Sequence, residues 1–307
     1  MSIVDVTPRP AADRSEAEAR FAALCARDDA LVAPWGRSRW FVQPERAPLA
    51  VVLLHGFTSS PTQFVVLAGQ LQARGHSVVI PRLPGHGDAD RSDTRLKTVR
   101  AEAWLETASE ALDIARGLGE RVAITGISLS GVIAVWLGWR RRDVARAVGL
   151  APLVGVKGWP PLVNSLAARL LAALPDRDFK WDPFGDGRQI TAHSYPRFPS
   201  RGLAQCLRVG CDLYAGALRS APPRRTAVFL LNAHDPAVNN AMAIEVARRW
   251  NALGAGAECL TLSDMPSIHD IADPENPYQR IAEVYPKLTD LLEKMPSENV
   301  FQPDAQR

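Results

Sequence analysis

Three short segments of the chain carry residue types that could together perform nucleophilic chemistry. In Gly126-Ile127-Ser128-Leu129-Ser130-Gly131 a serine stands among small residues, between a β-branched run and a stretch of helical spacing. A serine on such a sharp turn is exposed at a helix N-terminus, and glycine neighbours let the backbone fold back without clashes. Asn232-Ala233-His234-Asp235-Pro236 closes another buried run. A carboxylate at a strand end can accept the Nδ1–H of an imidazole base. Ser267-Ile268-His269-Asp270 follows the last such run. A hydroxyl, an imidazole and a carboxylate that orients it are the parts needed to form and hydrolyse an acyl-enzyme. Singly, each segment also has an ordinary reading: Ser128 as a helix N-cap, Asp235 as a turn starter before proline. Together they point to Ser128 as nucleophile, Asp235 as acid and His269 as base.

The six histidines are sorted by position. His55 and His86 sit on loops before the serine, His76 opens a strand, His193 lies in a helical insertion and His234 abuts the acid. Only His269 occupies the loop after the final strand. His55 reads as a structural histidine bracing the loop of His55-Gly56-Phe57, and His234 as structural too.

These residues need a scaffold, and the chain alternates strand and helix patterns. Leu49–Leu54, His76–Ile80, Arg121–Thr125, Ala145–Leu150, Ala227–Leu231 and Cys259–Leu262 read as strands, the first buried on both faces. Helical spacing appears near 15–30, from Phe64 to about Gly75, over 100–116, from Leu129 to about Arg140, and over 279–292. Pro34-Trp35-Gly36 reads as a turn and Arg39–Val42 as an early edge strand. Strands alternating with helices predict an α/β fold, a mostly parallel sheet with helices on both faces. Residues 153–222 break the rhythm. They hold two amphipathic stretches, Leu162/Leu166/Leu170/Leu174 and Leu203/Leu207/Tyr214/Leu218, and read as an inserted helical cap over the sheet edge.

The length of 307 residues, 47% hydrophobic, suits a single domain over 1–307 with that insertion. A formal charge of +3, scattered rather than striped, offers no electrostatic footprint for nucleic acid. The Arg140-Arg141-Arg142 run reads as a solvated helix end. Cys25, Cys206, Cys211 and Cys259 form no C-x-x-C pair, which leaves zinc unsupported and buried free thiols as the expectation. No signal-like start and no apolar run long enough for a membrane span is present, so a cytoplasmic location is expected. Nothing in the sequence indicates the oligomeric state.

Leu54-His55-Gly56-Phe57-Thr58 and Leu83-Pro84-Gly85-His86-Gly87, with the serine turn and the Asp-Pro and His loops, resemble bacterial carboxylesterases and monoacylglycerol-lipase-like members of the α/β-hydrolase superfamily. The resemblance covers roughly residues 49–292, least so in the cap. It implies an α/β-hydrolase fold and a triad in the chain order Ser128, Asp235, His269. It also implies an oxyanion hole from the backbone N–H groups of Phe57 and Leu129, and no metal or cofactor. One departure stands out: the pattern wants glycine at position 130, where this chain has serine. The implied activity is hydrolysis of carboxylic esters, small uncharged molecules, through an acyl-enzyme. Thioester, perhydrolase or C–C bond hydrolysis by the same triad is the alternative, and a non-catalytic binding module is a third reading. Trp159, Trp181 and Phe184, with the cap leucines, are expected to line an apolar acyl slot, although they could equally seal the cap to the core.

Overall fold

Runs of Val, Ile and Leu become strands where both faces can be covered, and here they assemble a seven-stranded sheet. The computed structural model describes residues 3–92, 95–181, 187, 189–222 and 226–294. In chain order the strands are β1 (Arg39–Phe41), β2 (Ala47–Leu54), β3 (Ser77–Ile80), β4 (Gly119–Ile127), β5 (Arg146–Leu150), β6 (Asp178–Lys180), β7 (Arg197–Pro199), β8 (Ala227–Asn232) and β9 (Glu258–Leu262). The helices are α1 (Arg14–Cys25), α2 (Val65–Ala73), α3 (Ala101–Leu118), α4 (Leu129–Arg140), α5 (Pro161–Ala173), α6 (Ser200–Gly216), α7 (Asn240–Ala252) and α8 (Ile281–Glu293).

The sheet runs β1-β3-β2-β4-β5-β8-β9, with β1 antiparallel to β3 and every other pair parallel. This is the expected α/β-hydrolase architecture. Parallel strands all end at the same edge. The segments after β2, β4, β8 and β9, which carry Phe57, Ser128, Asp235 and His269, therefore meet there.

Several elements differ from the sequence expectation. The first helix stops at Cys25, opened by a reciprocal cap in which Asp13 accepts from Glu16 N and the Glu16 carboxylate accepts from Ala12 N. A helix absent from the reading, α7, fills the β8–β9 connection and buries Met242, Val246 and Trp250. Its Ala-, Asn- and Arg-rich composition hides that stripe. Arg141 is not solvated: its side chain is fully buried, paired at 2.6 Å with both Asp113 and Asp143. The four cysteines are free, but only Cys206 is buried and Cys259 is exposed. Among the described residues no helix is long and apolar enough to cross a membrane.

The chain between β5 and β8 holds α5, the antiparallel pair β6–β7, and α6. α6 packs on α4 and buries Leu207, Val209 and Leu213. α5 packs on α6, but its inward residues are Asn164 and Ala168. Leu162, Leu166, Leu170 and Leu174 point outward, 79%, 53%, 48% and 53% exposed. They line no slot, which corrects the expectation placed on that stripe. Leu218 lies beyond the end of α6 and is also exposed.

Candidate active site

At the β4–α4 junction Ser128 adopts φ 61°, ψ −119°, a left-handed backbone rarely tolerated by a side chain. The strain is over-determined by its neighbours. Ser128 N donates to Leu150 O at 3.0 Å, and Ser128 O accepts from Leu153 N at 3.0 Å. The chain doubles back so tightly that a Cβ on Gly126 would stand 2.6 Å from Ser130 O, and one on Gly131 would stand 2.7 Å from Leu150 O. Ser130, the departure from the pattern, fits because its hydroxyl donates to the carbonyl of His55. The Ser128 hydroxyl makes no helix-capping bond, so the N-cap reading has no support.

Asp235, after β8, accepts from Ala237 N at 2.8 Å and Val238 N at 3.1 Å through Oδ1. Its Oδ2 lies 2.8 Å from His269 Nδ1. With Nδ1 donating to that carboxylate, Nε2 is left as the acceptor, and it is buried without a partner among the described residues. Burial opposes the charge on Asp235, but His269 and the two N–H groups outweigh it and hold the carboxyl below its ordinary value. Burial likewise lowers His269, yet Asp235, with help from Asp270, leaves it above the ordinary imidazole value. Asn232, at the end of β8, donates to Pro266 O (3.0 Å) and Ile268 O (2.8 Å) and so ties the His269 loop to the sheet.

Opposite these, the loop after β2 is pinned from three sides. His86 Nε2 donates to Phe57 O at 2.6 Å. His55 Nε2 accepts from Leu83 N at 3.1 Å, as a bracing histidine should. Gly56 N donates to Gln63 Oε1 at 2.8 Å, while Gln63 Nε2 donates to Asp270 Oδ2 at 2.7 Å. Burial pushes His86 down to about 4 and lowers His55 strongly, so both braces are neutral near pH 7. The N–H groups of Phe57 and Leu129 donate to no other group among the described residues. The Phe57 ring is wedged edge-on against Trp104 and Phe198.

Ser128 and His269 border one narrow cleft of ≈ 20 Å³, together with Phe57, Ser59, Trp181 and Thr191. Trp181 lies over the His269 ring, centroids 5.7 Å apart. Trp159 does not border the cleft. Its carbonyl instead accepts from Asn164 and Asn239 at the foot of α5. Phe184 lies outside the described residues. The wall is more hydroxylated than the expected apolar slot. Gln63, Asn232 and the threonine and serine residues of this wall escaped sequence reasoning, though Thr58-Ser59-Ser60 directly follows Phe57 and could have been weighed.

A second Ser–His–Asp contact exists. Ser60 Oγ lies 3.2 Å from His193 Nδ1, and His193 Nε2 hydrogen-bonds Asp273 Oδ1 at 3.3 Å. All three are buried and none borders the cleft, so the group clamps the segment before β7 to the loops after β2 and β9. Among the described residues no three His, Cys, Asp or Glu side chains converge as metal ligands.

The family model for the alpha/beta hydrolase family matches residues 51–284, from β2 into α8. The chain belongs to that family. It is 27% identical over 36% of its length to a thermostable monoacylglycerol lipase of Bacillus sp. (strain H-257), covering 41% of that protein. It is 32% identical over 29% of its length to a carboxylesterase of Bacillus subtilis (strain 168), covering 36% of it. The chain thus aligns with only about two-fifths of each curated relative. A soluble variant of monoglyceride lipase from Saccharomyces cerevisiae superposes with TM-score 0.63 over 85% of this chain and 92% of that one, at 14% identity, a likeness of fold.

Proposed function

We propose that this alpha/beta hydrolase is a serine esterase in which Ser128 forms an acyl-enzyme with small uncharged carboxylic esters. One observation carries the reading: the unpartnered Nε2 of a carboxylate-bound His269 borders the same cleft as Ser128 on its strained turn. His269 Nε2 takes the Ser128 proton as Oγ attacks the ester carbonyl carbon. The oxyanion then forms between the N–H groups of Phe57 and Leu129, each donor worth about 2.7–4 kcal/mol. Collapse expels the alcohol, protonated by His269, and water attacks the acyl-enzyme through the same base. The strained backbone at Ser128 and the braced Phe57 loop keep nucleophile and donors in place before substrate arrives. In this reading residues 153–222 act as a cap, contributing Trp181 and Thr191 above His269.

The base must be neutral, so catalytic efficiency should rise with pH through a value above the ordinary histidine 6.5. The direct test is a fluorophosphonate label. Wild type should be labelled stoichiometrically and hydrolyse short esters, while folded Ser128→Ala should do neither. A label carried by Ser128→Ala, with retained turnover, would move the nucleophile elsewhere.

A further inference from the structure

Two hydroxyl side chains that border the cleft lack a hydrogen-bond partner among the described residues. They are Ser59 Oγ and Thr191 Oγ1, both buried, and they border the cleft beside Ser128 and His269. An unpaired buried hydroxyl is unfavourable, and native proteins keep few of them. Neither side chain sits on a loose segment. The Arg91 guanidinium donates to Thr191 O at 2.9 Å and to Ser194 O at 2.7 Å. Two residues beyond Thr191, His193 is clamped between Ser60 and Asp273, and Tyr195 N donates to Thr58 O at 2.7 Å. The Tyr195 hydroxyl accepts from Asp88 N at 2.9 Å. The turn bearing Thr191 is thus fixed to the body of the protein through Thr191 O and the residues that follow it, His193, Ser194 and Tyr195, and Ser59 follows the pinned Phe57 loop directly.

We propose that Ser59 and Thr191 bind a second hydrogen-bonding group of the substrate, a hydroxyl or carbonyl within a few bonds of the scissile ester. This rests on Ser128 being the nucleophile of that cleft. Two further observations set the size of the group. The cleft of ≈ 20 Å³ exceeds only slightly the roughly 10–15 Å³ that one water needs. The leucines of α5, the largest apolar stripe nearby in sequence, face away. A short polar substituent fits that geometry; among the described residues the wall offers Phe57, Ile127 and Trp181 but no extended apolar slot for a long alkyl chain. A site built to bond a polar group discriminates against the analogue that lacks it, because its own hydroxyls stay unpaired.

The substituent could belong to the acyl or the alcohol side, and paired substrates separate the two. One pair is p-nitrophenyl butyrate and p-nitrophenyl β-hydroxybutyrate; the other is propyl butyrate and glyceryl monobutyrate. The purified full chain should favour the hydroxylated member of at least one pair by about tenfold in kcat/KM, the scale of a hydrogen bond or two. Ser59→Ala/Thr191→Val should bring that ratio to within about twofold of one, whereas Thr191→Ser, which keeps a hydroxyl, should preserve most of it. Each single variant gives the same reading if the double variant folds poorly. No preference in either pair, or a preference that survives both substitutions, overturns the proposal. Absence of fluorophosphonate labelling in wild type would instead overturn the assignment of Ser128.

Discussion

While the edge strand β9 leaves Cys259 and Leu260 exposed, each apolar run in the central strands of the sheet is buried as its pattern suggests. Between β5 and β8, the most regular apolar stripe of the chain points the other way. The residues of β2 from Leu49 to Leu54 are almost wholly buried, and α4 buries nearly every residue to pack against β4 and β5. On α5 the leucines lie on the open side, while Asn164 faces inward and is fully buried. Its carboxamide accepts from Val156 N at 2.9 Å and donates to Trp159 O at 3.0 Å, satisfying the backbone of the entering loop. A central strand is covered on both faces, so burial alone decides its residues. A surface helix is placed also by polar groups that must be satisfied, as the buried Asn164 carboxamide is here. Periodicity reveals that a stripe exists; it does not reveal which side of the helix the protein occupies.

The comparison can be broken at several points. The largest effect belongs to the sheet edge. Asp235→Asn keeps the shape but favours the wrong tautomer of His269, and kcat on a short ester should fall about 10⁴-fold. Turnover within about tenfold of wild type would detach Asp235 from the chemistry. Asp270 is the nearby alternative, but it is directed to Gln63 rather than to His269 Nδ1.

Next comes the clamp joining the two regions. Burial lowers His193, but Asp273, Glu275 and Asp270 together raise it above its ordinary value. A raised folded value means that the charged clamp stabilises fully below the ordinary histidine pKa of 6.5 and is lost as pH climbs through the raised one. His193→Asn should therefore cost about 3 kcal/mol in urea unfolding at about pH 6 and clearly less at about pH 9. An equal cost at both values would make the histidine a packing element only.

The smallest effect is expected on the outer face of α5. Leu166→Gln/Leu170→Gln should change stability by no more than about 0.5 kcal/mol and leave the acyl-length profile of ester hydrolysis as in wild type. A flattened profile would return the leucines to the substrate path and reverse the contrast drawn between the two regions.

Much of the site was legible from local sequence, for local reasons. Glycine at 126 is demanded by the approach of Ser130 within the same turn, and that local requirement marks Ser128; glycine at 131 is demanded by Leu150 on the neighbouring strand. Asp235 follows a buried strand and His269 follows the edge strand β9, and parallel strands bring such ends together. Trp181 borders the cleft beside His269, whereas Trp159 went to the foot of α5. Nothing local announces that Gln63 will bond Asp270, 207 residues away, or that His193 will join Ser60 to Asp273.

What this sequence determines by itself is the alternation of elements and the run of small residues around Ser128, because each depends on neighbours within a few residues. Only the tertiary structure decides which way α5 turns its leucines, that Arg141 is buried between two aspartates, and that the cleft over His269 is walled by Ser59 and Thr191. Those outcomes depend on which distant groups remain unsatisfied once the sheet has set the spacing between its loops, and that spacing exists only after strands far apart in the chain have paired.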